Sequence, residues 1–281
     1  MNLMRFFAPL IVVSLGWCAG TPLVPGSRIQ GLSGAFIGLA DDANAIYYNP
    51  AGIFYHEAMS TDVSFWRTDD GGLGGASAMF VNPSNPSGAM MGIGWTGIGL
   101  TGSTSAERAG AFVLPTVFSP TKGFPLGLGI KVTYARNQMG DLKWRVTGDG
   151  GTLVPILLSL RVGVVIRNIL KTEQLPFPST LGIGAAWTPI STLHALIDLE
   201  GSSFQQIKDG NSTIALGMEF MPIQYLALRG GMRKSSDNTL ISGGVELKQY
   251  SQGSGLGIAY WFPSEEPRHG WFSIGFTYQV R

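Results

Sequence analysis

The chain has 281 residues, 40 of them glycine, and only 13% are charged, about half the share in an ordinary soluble domain. Its 19 basic and 18 acidic residues nearly cancel, so no global field for nucleic acid is implied. Although 44% of the residues are hydrophobic, no stretch after the first twenty gives about 20 consecutive apolar residues; a transmembrane helix is excluded, leaving a large soluble β-protein or a membrane β-barrel.

Residues 1–20 read as a secretory signal peptide. Arg5 supplies the positive end, Phe6 to Trp17 the apolar core, and Cys18-Ala19-Gly20 a small-residue cleavage site. Leu15-Gly16-Trp17-Cys18 faintly resembles a lipoprotein box, but bulky Trp17 sits where a small residue is wanted. Cys18 is the only cysteine, so cleavage leaves a chain without a disulfide framework or a cysteine-based metal site. Taking Arg5 away with the leader brings the basic residues level with the 18 acidic ones.

Residues 21–57 are the one compact, non-repetitive stretch. From Ala35 to Tyr48 the apolar positions Ile37, Ala40, Ala43, Ala45 and Ile46, with Asp41, Asp42 and Asn44 between them, predict a helical stripe. Gly31 and Gly34 before it allow tight bends. Asn49-Pro50-Ala51-Gly52 after it marks a turn or helix entry, because proline fixes its own φ and drives Asn49 out of the helical region. This predicts a small plug inside a barrel formed by residues 58–281.

The run GLSGAFIGLADDANAIYYNPAGI resembles the N-terminal hatch of FadL-type outer-membrane transporters for long-chain fatty acids, and of their relatives, the PorV/PorQ-type proteins and the UPF0164 group. The Gly-rich lead, Ala40-Asp41-Asp42-Ala43, the pair Tyr47-Tyr48, and Asn49-Pro50-Ala51-Gly52 carry the likeness over about 25 residues; the rest of the chain matches in layout alone. The resemblance implies a bacterial outer-membrane barrel with a plug, and makes Asp41, Asp42, Asn49, Pro50 and Gly52 plug-motif residues.

Beyond the plug the chain alternates. Leu126, Leu128, Ile130, Val132 and Tyr134 oppose Gly127, Gly129, Lys131, Thr133 and Ala135; Val162, Val164 and Ile166 oppose Arg161, Val165 and Arg167; Phe272, Ile274, Phe276, Tyr278 and Val280 oppose Trp271, Ser273, Gly275, Thr277 and Gln279. Successive strand side chains point to opposite faces, so each strand has one greasy face and one polar or tiny one. Aromatics near strand ends, such as Tyr134, Phe220, Phe262 and Tyr278, suit interfacial girdles, and closure satisfies the backbone groups that lipid leaves unpaired. The segments give about 14 antiparallel strands, near 58–67, 73–82, 88–98, 108–118, 124–136, 150–158, 160–168, 179–188, 192–200, 211–221, 224–233, 239–248, 254–262 and 270–280. Short connections at 83–87, 119–123, 189–191, 222–223 and 249–253 alternate with mostly longer ones at 99–107, 137–149, 169–178, 201–210 and 263–269. That asymmetry suits periplasmic turns and outer loops, which a sandwich has no reason to show. Ser273, Gly275, Tyr278 and Val280 resemble the C-terminal signal read by the barrel-assembly machinery, although Arg281 replaces the usual terminal aromatic.

The polar faces place Lys131, Arg161, Arg167, Arg229, Arg233 and Lys248 in the lumen, against Asp198, Glu200, Glu219 and Glu246. Asp41 and Asp42 of the plug are expected to balance the cationic excess, because buried ions without partners cost several kcal/mol each; the competing placement is an exposed periplasmic helix. Pro115 falls inside a predicted strand, where its missing N–H favours a bulge or kink. With Phe112, Leu114 and Phe118 on one face, it is the candidate lateral gate, unless it lies beside the turn at Ser119-Pro120. Gly92-Ile93-Gly94-Trp95-Thr96-Gly97 fits a dinucleotide fingerprint but sits within an alternating strand with no helix after it. His56, His194 and His269 lack metal-ligand spacing, and no G-x-S-x-G elbow exists. No catalytic residue, metal or cofactor is expected. Two function classes stay open: passage or binding of hydrophobic small molecules such as fatty acids, and a PorV-like interaction protein serving secreted proteins. The expected partners are outer-membrane lipid, the barrel-assembly machinery and either of those cargoes.

Overall fold

The computed structural model describes residues 24–56, 58–68, 73–83, 90–98, 108–121, 123–136, 141–170, 178–203, 212–236, 238–249, 254–265, 267 and 270–280. The expected signal peptide, the loop at 99–107, most of 137–141 and 171–177, and Arg281 lie outside the described residues. Fourteen strands form a closed barrel: β1 Met59–Thr68, β2 Leu73–Asn82, β3 Met90–Ile98, β4 Arg108–Thr121, β5 Phe124–Arg136, β6 Leu142–Leu157, β7 Leu160–Arg167, β8 Thr180–Ile190, β9 Leu193–Gly201, β10 Thr213–Ile223, β11 Leu226–Lys234, β12 Thr239–Lys248, β13 Gly255–Pro263 and β14 Trp271–Val280. Each strand pairs antiparallel with its sequence neighbours, and β14 closes on β1 from Met59↔Val280 to Thr68↔Trp271.

The alternation of the sequence becomes the two sides of the wall. Along β14, Phe272, Ile274, Phe276, Tyr278 and Val280 are each between 40% and 50% exposed and point outward, while Trp271, Ser273 and Gly275 are buried inside. Soluble monomers rarely expose apolar surface on this scale; an outward apolar band with an inward polar face is the surface of a barrel that sits in lipid.

Two strands are longer than the sequence suggested. β6 begins at Leu142, not near 150, so the expected connection 137–149 shrinks to 137–141. Residues 142–146 are exposed on both faces, and so show no alternation to read. β4 runs to Thr121 through the expected turn at 119–123. Four hairpins at this end of the barrel carry register shifts, between Phe118 and Thr121, Pro155 and Leu157, Trp187 and Ile190, and Phe220 and Ile223. A proline sits at each of them (Pro120, Pro155, Pro189, Pro222), as expected for a residue that cannot donate to a ladder.

Residues 24–56 fill the lumen. Helix α1 (Ser27–Gly31) packs on β11 to β14 and β1, helix α2 (Ala45–Tyr48) on β3 and β4, and a 3₁₀ helix (Pro50–Tyr55) on β3 to β6. The helical stripe expected over Ala35–Tyr48 is helical only at its last four residues. Turns occupy the stretch before it, where Ala40 takes φ 35° and Asp42 accepts the Asn44 amide in a local turn at 2.8 Å. The inward glycines explain themselves here. Ser27 lies against Gly257 and Gly275, Leu32 against Gly217 and Gly231, Ile37 against Gly163, Gly182 and Gly184, Asn49 against Gly151, Ala51 against Gly127, and Ile46 against Gly92 and Gly94. A Cβ at any of these would press on the plug, so the wall carries a belt of glycines on which the plug chain lies.

Candidate functional site: the plug seat and the interrupted wall

Asn49 is the pivot of the plug. It is extended (φ −156°), fully buried, and uses its whole amide: Oδ1 accepts the Ala51 amide at 3.2 Å, and Nδ2 donates to the carbonyls of Ile37 (3.2 Å) and Thr152 (3.0 Å). Pro50 then opens the 3₁₀ helix without needing a hydrogen-bond partner for its nitrogen. Gly52 faces the carbonyl and Cβ of Ala40, and any side chain there would collide with both. Pro50 and Gly52 thus hold the plug's own shape, while Asn49 also ties it to Thr152 of β6.

Asp41 and Asp42 do something else. Both bind Arg28 of the plug, at 2.7 and 2.9 Å, rather than chiefly the wall arginines the sequence suggested. Arg28 also grips Glu219 of β10 through two bonds of 2.7 and 3.0 Å. Glu219 accepts from Arg229 at 2.6 Å, and Arg229 reaches Glu246. The plug is therefore latched to β10, β11 and β12 through one guanidinium, with five donors in a fixed fork. Burial alone would lower the Arg28 pKa, but Asp41, Glu219 and Asp42 more than offset it, and the guanidinium stays charged. Burial likewise pushes Asp41 up, yet Arg28 and then Arg161 hold it below its ordinary value. Arg28 was overlooked in the sequence, although it is the one cation among residues 24–56 apart from histidine.

Toward the loop ends of the strands lie two further clusters. Lys131, 1% exposed, contacts Asp149 at 2.5 Å and Asn168 at 3.2 Å, with its ammonium 4.9 Å from the centre of the Tyr47 ring. Asp149 escaped notice because it sat in a stretch expected to be loop. Arg167 and Arg233 share Glu200, at 3.0 and 3.4 Å. Asp198 faces the plug instead of a cation: its Oδ2 accepts the amides of Phe36 and Ile37. Burial raises the Tyr47 and Tyr48 phenols far above their ordinary value, so both stay protonated.

Pro115 lies in the middle of β4 and points inward, away from the turn at Ser119-Pro120. The β4–β5 ladder runs through it, with Pro115 opposite Gly129, and its shift comes later at Phe118. The β3–β4 ladder breaks instead: Met91↔Thr116 is followed by Gly94↔Val113 in the same register, so the facing positions Gly92–Pro115 and Ile93–Leu114 are not bridged. A proline with no N–H to give accounts for the gap. Phe112, Leu114 and Phe118 border it on the lipid side, 42%, 54% and 44% exposed, while Val113 and Val117 lie inside and belong to one apolar cluster with Ile46, Met79, Trp261 and Trp271.

Gly92 to Gly97 lies within β3, an alternating strand. Among the described residues no group of three or more His, Cys, Asp or Glu side chains is placed to hold a metal. His56 contacts Ser60 at 2.7 Å and His194 contacts Thr188 at 2.9 Å; His269 lies outside the described residues.

No family model and no curated protein matches the chain. Solved structures do. A FadL homologue of Pseudomonas aeruginosa matches with TM-score 0.65 and 10% identity over 92% of this chain and 98% of its own. The P. putida toluene transporter TodX gives 0.67 and 11% over 92% and 99%, and the CymD monoaromatic hydrocarbon channel 0.66 and 13% over 92% and 98%. At these identities the likeness is one of fold: the chain has the barrel architecture of the FadL-like proteins.

Proposed function

We propose that this protein is a bacterial outer-membrane barrel that passes hydrophobic small molecules, leaving the lumen sideways through the wall at Pro115. The observation that carries the reading is the unbridged stretch between β3 and β4. It is apolar on both sides, with Val113, Val117 and the plug residue Ile46 within and Phe112, Leu114 and Phe118 without. The other irregularities of the described ladders are register shifts near strand ends, between Trp66 and Arg67, Phe118 and Thr121, Pro155 and Leu157, Trp187 and Ile190, and Phe220 and Ile223. The pair Arg167 and Arg233 on a single Glu200 adds a cationic spot that suits an acid head, consistent with fatty acids among the cargoes. The fold shared with TodX, a toluene transporter, and with CymD, a hydrocarbon channel, points the same way. The reading as a PorV-type interaction protein gains no observation of its own.

The test is uptake of a labelled long-chain fatty acid and of labelled toluene by cells carrying the barrel. Pro115→Val together with a disulfide between Ile93→Cys and Leu114→Cys should close the gap and reduce uptake at least tenfold, with reduction of the disulfide restoring part of it. Uptake unchanged by both alterations would overturn lateral exit.

A further inference from the structure

On the opposite side of the plug, at the turn end of the barrel, a cleft of ≈ 560 Å³ opens between the β6–β7 and β8–β9 hairpins. That is within the range of small-molecule sites, roughly 300–1,000 Å³. Its walls divide by chemistry. Pro155, Leu157 and Ala186 are apolar; Arg161, Thr188 and His194 are polar. The register shifts at Pro155 and at Trp187 flank it on both hairpins.

Arg161 is the unusual member. Arg28, Arg229 and Arg233 each hydrogen-bond a carboxylate, and Arg167 is 3.0 Å from Glu200. Among the described residues the one ionic contact of Arg161 is with Asp41 at 4.0 Å, beyond hydrogen-bonding reach. Its guanidinium otherwise lies 5.7 Å from the Tyr55 ring centre, a cation–π distance. Asp41 is already committed to Arg28 at 2.7 Å. Among the described residues Arg161 therefore keeps its full fork of donors, partly exposed toward the cleft. Across from it, His194 Nδ1 lies 2.9 Å from the Thr188 hydroxyl, which fixes the ring; with Nδ1 accepting from that hydroxyl, the ring's N–H is at Nε2, which has no partner among the described residues. A planar fork and an imidazole edge beside an apolar wall match a small anionic head joined to a hydrocarbon tail. Gly163, the next inward residue of β7 after Arg161, is covered by Ile37 and Asn49, so the plug separates this cleft from Arg167 and Glu200.

We propose that this cleft is a second binding site, taking the carboxylate or phosphate head of a single-chain amphiphile on Arg161 and His194, with the start of its tail on Pro155, Leu157 and Ala186. The site stands on its own geometry and does not depend on passage through the wall at Pro115. The head replaces the distant Asp41 as the partner of Arg161, and Asp41 stays on Arg28.

The experiment is photolabelling of the intact barrel in phosphatidylcholine nanodiscs with dodecanoate bearing a diazirine on its second carbon, followed by peptide mapping. Label is expected on peptides covering 155–161 and 186–194. Arg161→Gln should reduce it at least tenfold, Arg161→Lys and His194→Gln less, and Arg233→Gln not at all. Arg161→Gln removes no hydrogen bond among the described residues, and heat-modifiable migration on a gel checks that each variant is folded. Unlabelled dodecanoate and dodecyl phosphate compete in separate arms, which tells a carboxylate source from a phosphate source. Competition by dodecanol as strong as by dodecanoate overturns the proposal, as does labelling indifferent to both the Arg161 and His194 changes. Uptake and labelling are read separately, so failure of transport and failure of this site are distinguishable.

Discussion

The carboxylate of Asp198 on β9 sits 2.8 Å from the backbone amide of Ile37, and the same oxygen takes the Phe36 amide at 2.6 Å. A wall residue thus acts as the cap for a turn of the plug, holding two N–H groups that would otherwise be buried without partners. Each such hydrogen bond is worth about 0.5–1.5 kcal/mol. Asp198→Ala should raise the rate of protease cleavage within residues 24–56 by one to two orders of magnitude, with the barrel still heat-modifiable. A plug as resistant as the parent's would show that these two bonds do not seat it.

Arg28 should matter more than the two aspartates it holds. Removing one partner of a buried ion pair costs about 3–5 kcal/mol because the other charge is left uncompensated. Arg28→Ala strands Asp41, Asp42 and part of Glu219. Replacing Asp41 and Asp42 by alanine leaves Arg28 still bound to Glu219 at 2.7 and 3.0 Å. Liposome swelling with small sugars is expected to rise strongly for Arg28→Ala and modestly for the double aspartate variant. The reverse order would show that the latch runs through the aspartates instead.

His56 should make plug seating sensitive to pH. Burial holds its imidazole below the ordinary 6.5, against the pull of Asp42 and Asp41 in the other direction, while Arg28 adds to the lowering. A histidine harder to protonate when seated stabilises the seated form above the free value, and that contribution fades as pH falls through it toward the seated value. Asp41, held below its ordinary 3.8, keeps its contribution until the solution is more acid still. Protease sensitivity of the plug should therefore increase as pH falls through about 6.5, and His56→Gln should flatten the profile. An unaltered slope in that variant would assign the effect to another group.

The lipid face gives a folding prediction. Val164 points outward and Arg161 inward. An arginine at mid-bilayer costs about 2–4 kcal/mol, so Val164→Arg should lower refolding yield in liposomes sharply while Arg161→Val leaves it near the parent's. Alternation alone makes Val165→Arg look like a harmless lumen control. Val165 is fully buried and crowds the glycine at 182, which the plug also covers, so that substitution should instead unseat the plug. Equal yields for Val164→Arg and Arg161→Val would overturn the facing of β7.

Much of the barrel is legible in the sequence, because period-two alternation is what a two-faced wall demands. Leu126 to Ala135 and Trp271 to Val280 declare their faces residue by residue. The wall is not legible at the start of β6, where residues 142–146 are exposed on both faces and show no alternation. The plug was legible as a unit but not in its bonding. Asn49-Pro50 announces a turn locally, whereas the grip of Arg28 on Glu219 spans 191 positions, and no spacing rule reaches that far. Asp198 was legible as an inward charge; that it caps amides rather than pairing with a cation depends on a turn at Phe36 which the helical pattern concealed.

Ser27 lies where the barrel closes. Its amide donates to the Ser64 hydroxyl on β1 at 3.0 Å, and its side chain rests over Gly275 of β14. Those two strands are the first and last made, and Ser64 and Gly275 face one another across the seam. Ser27 can hold both partners only after the chain's end has met its beginning. The start of the plug is thus translated before every strand yet finds its seat after all of them, so its burial serves as a timestamp for completed assembly: a label at Ser27 that becomes protected reports a closed barrel, and one still accessible reports a barrel waiting for its last strand.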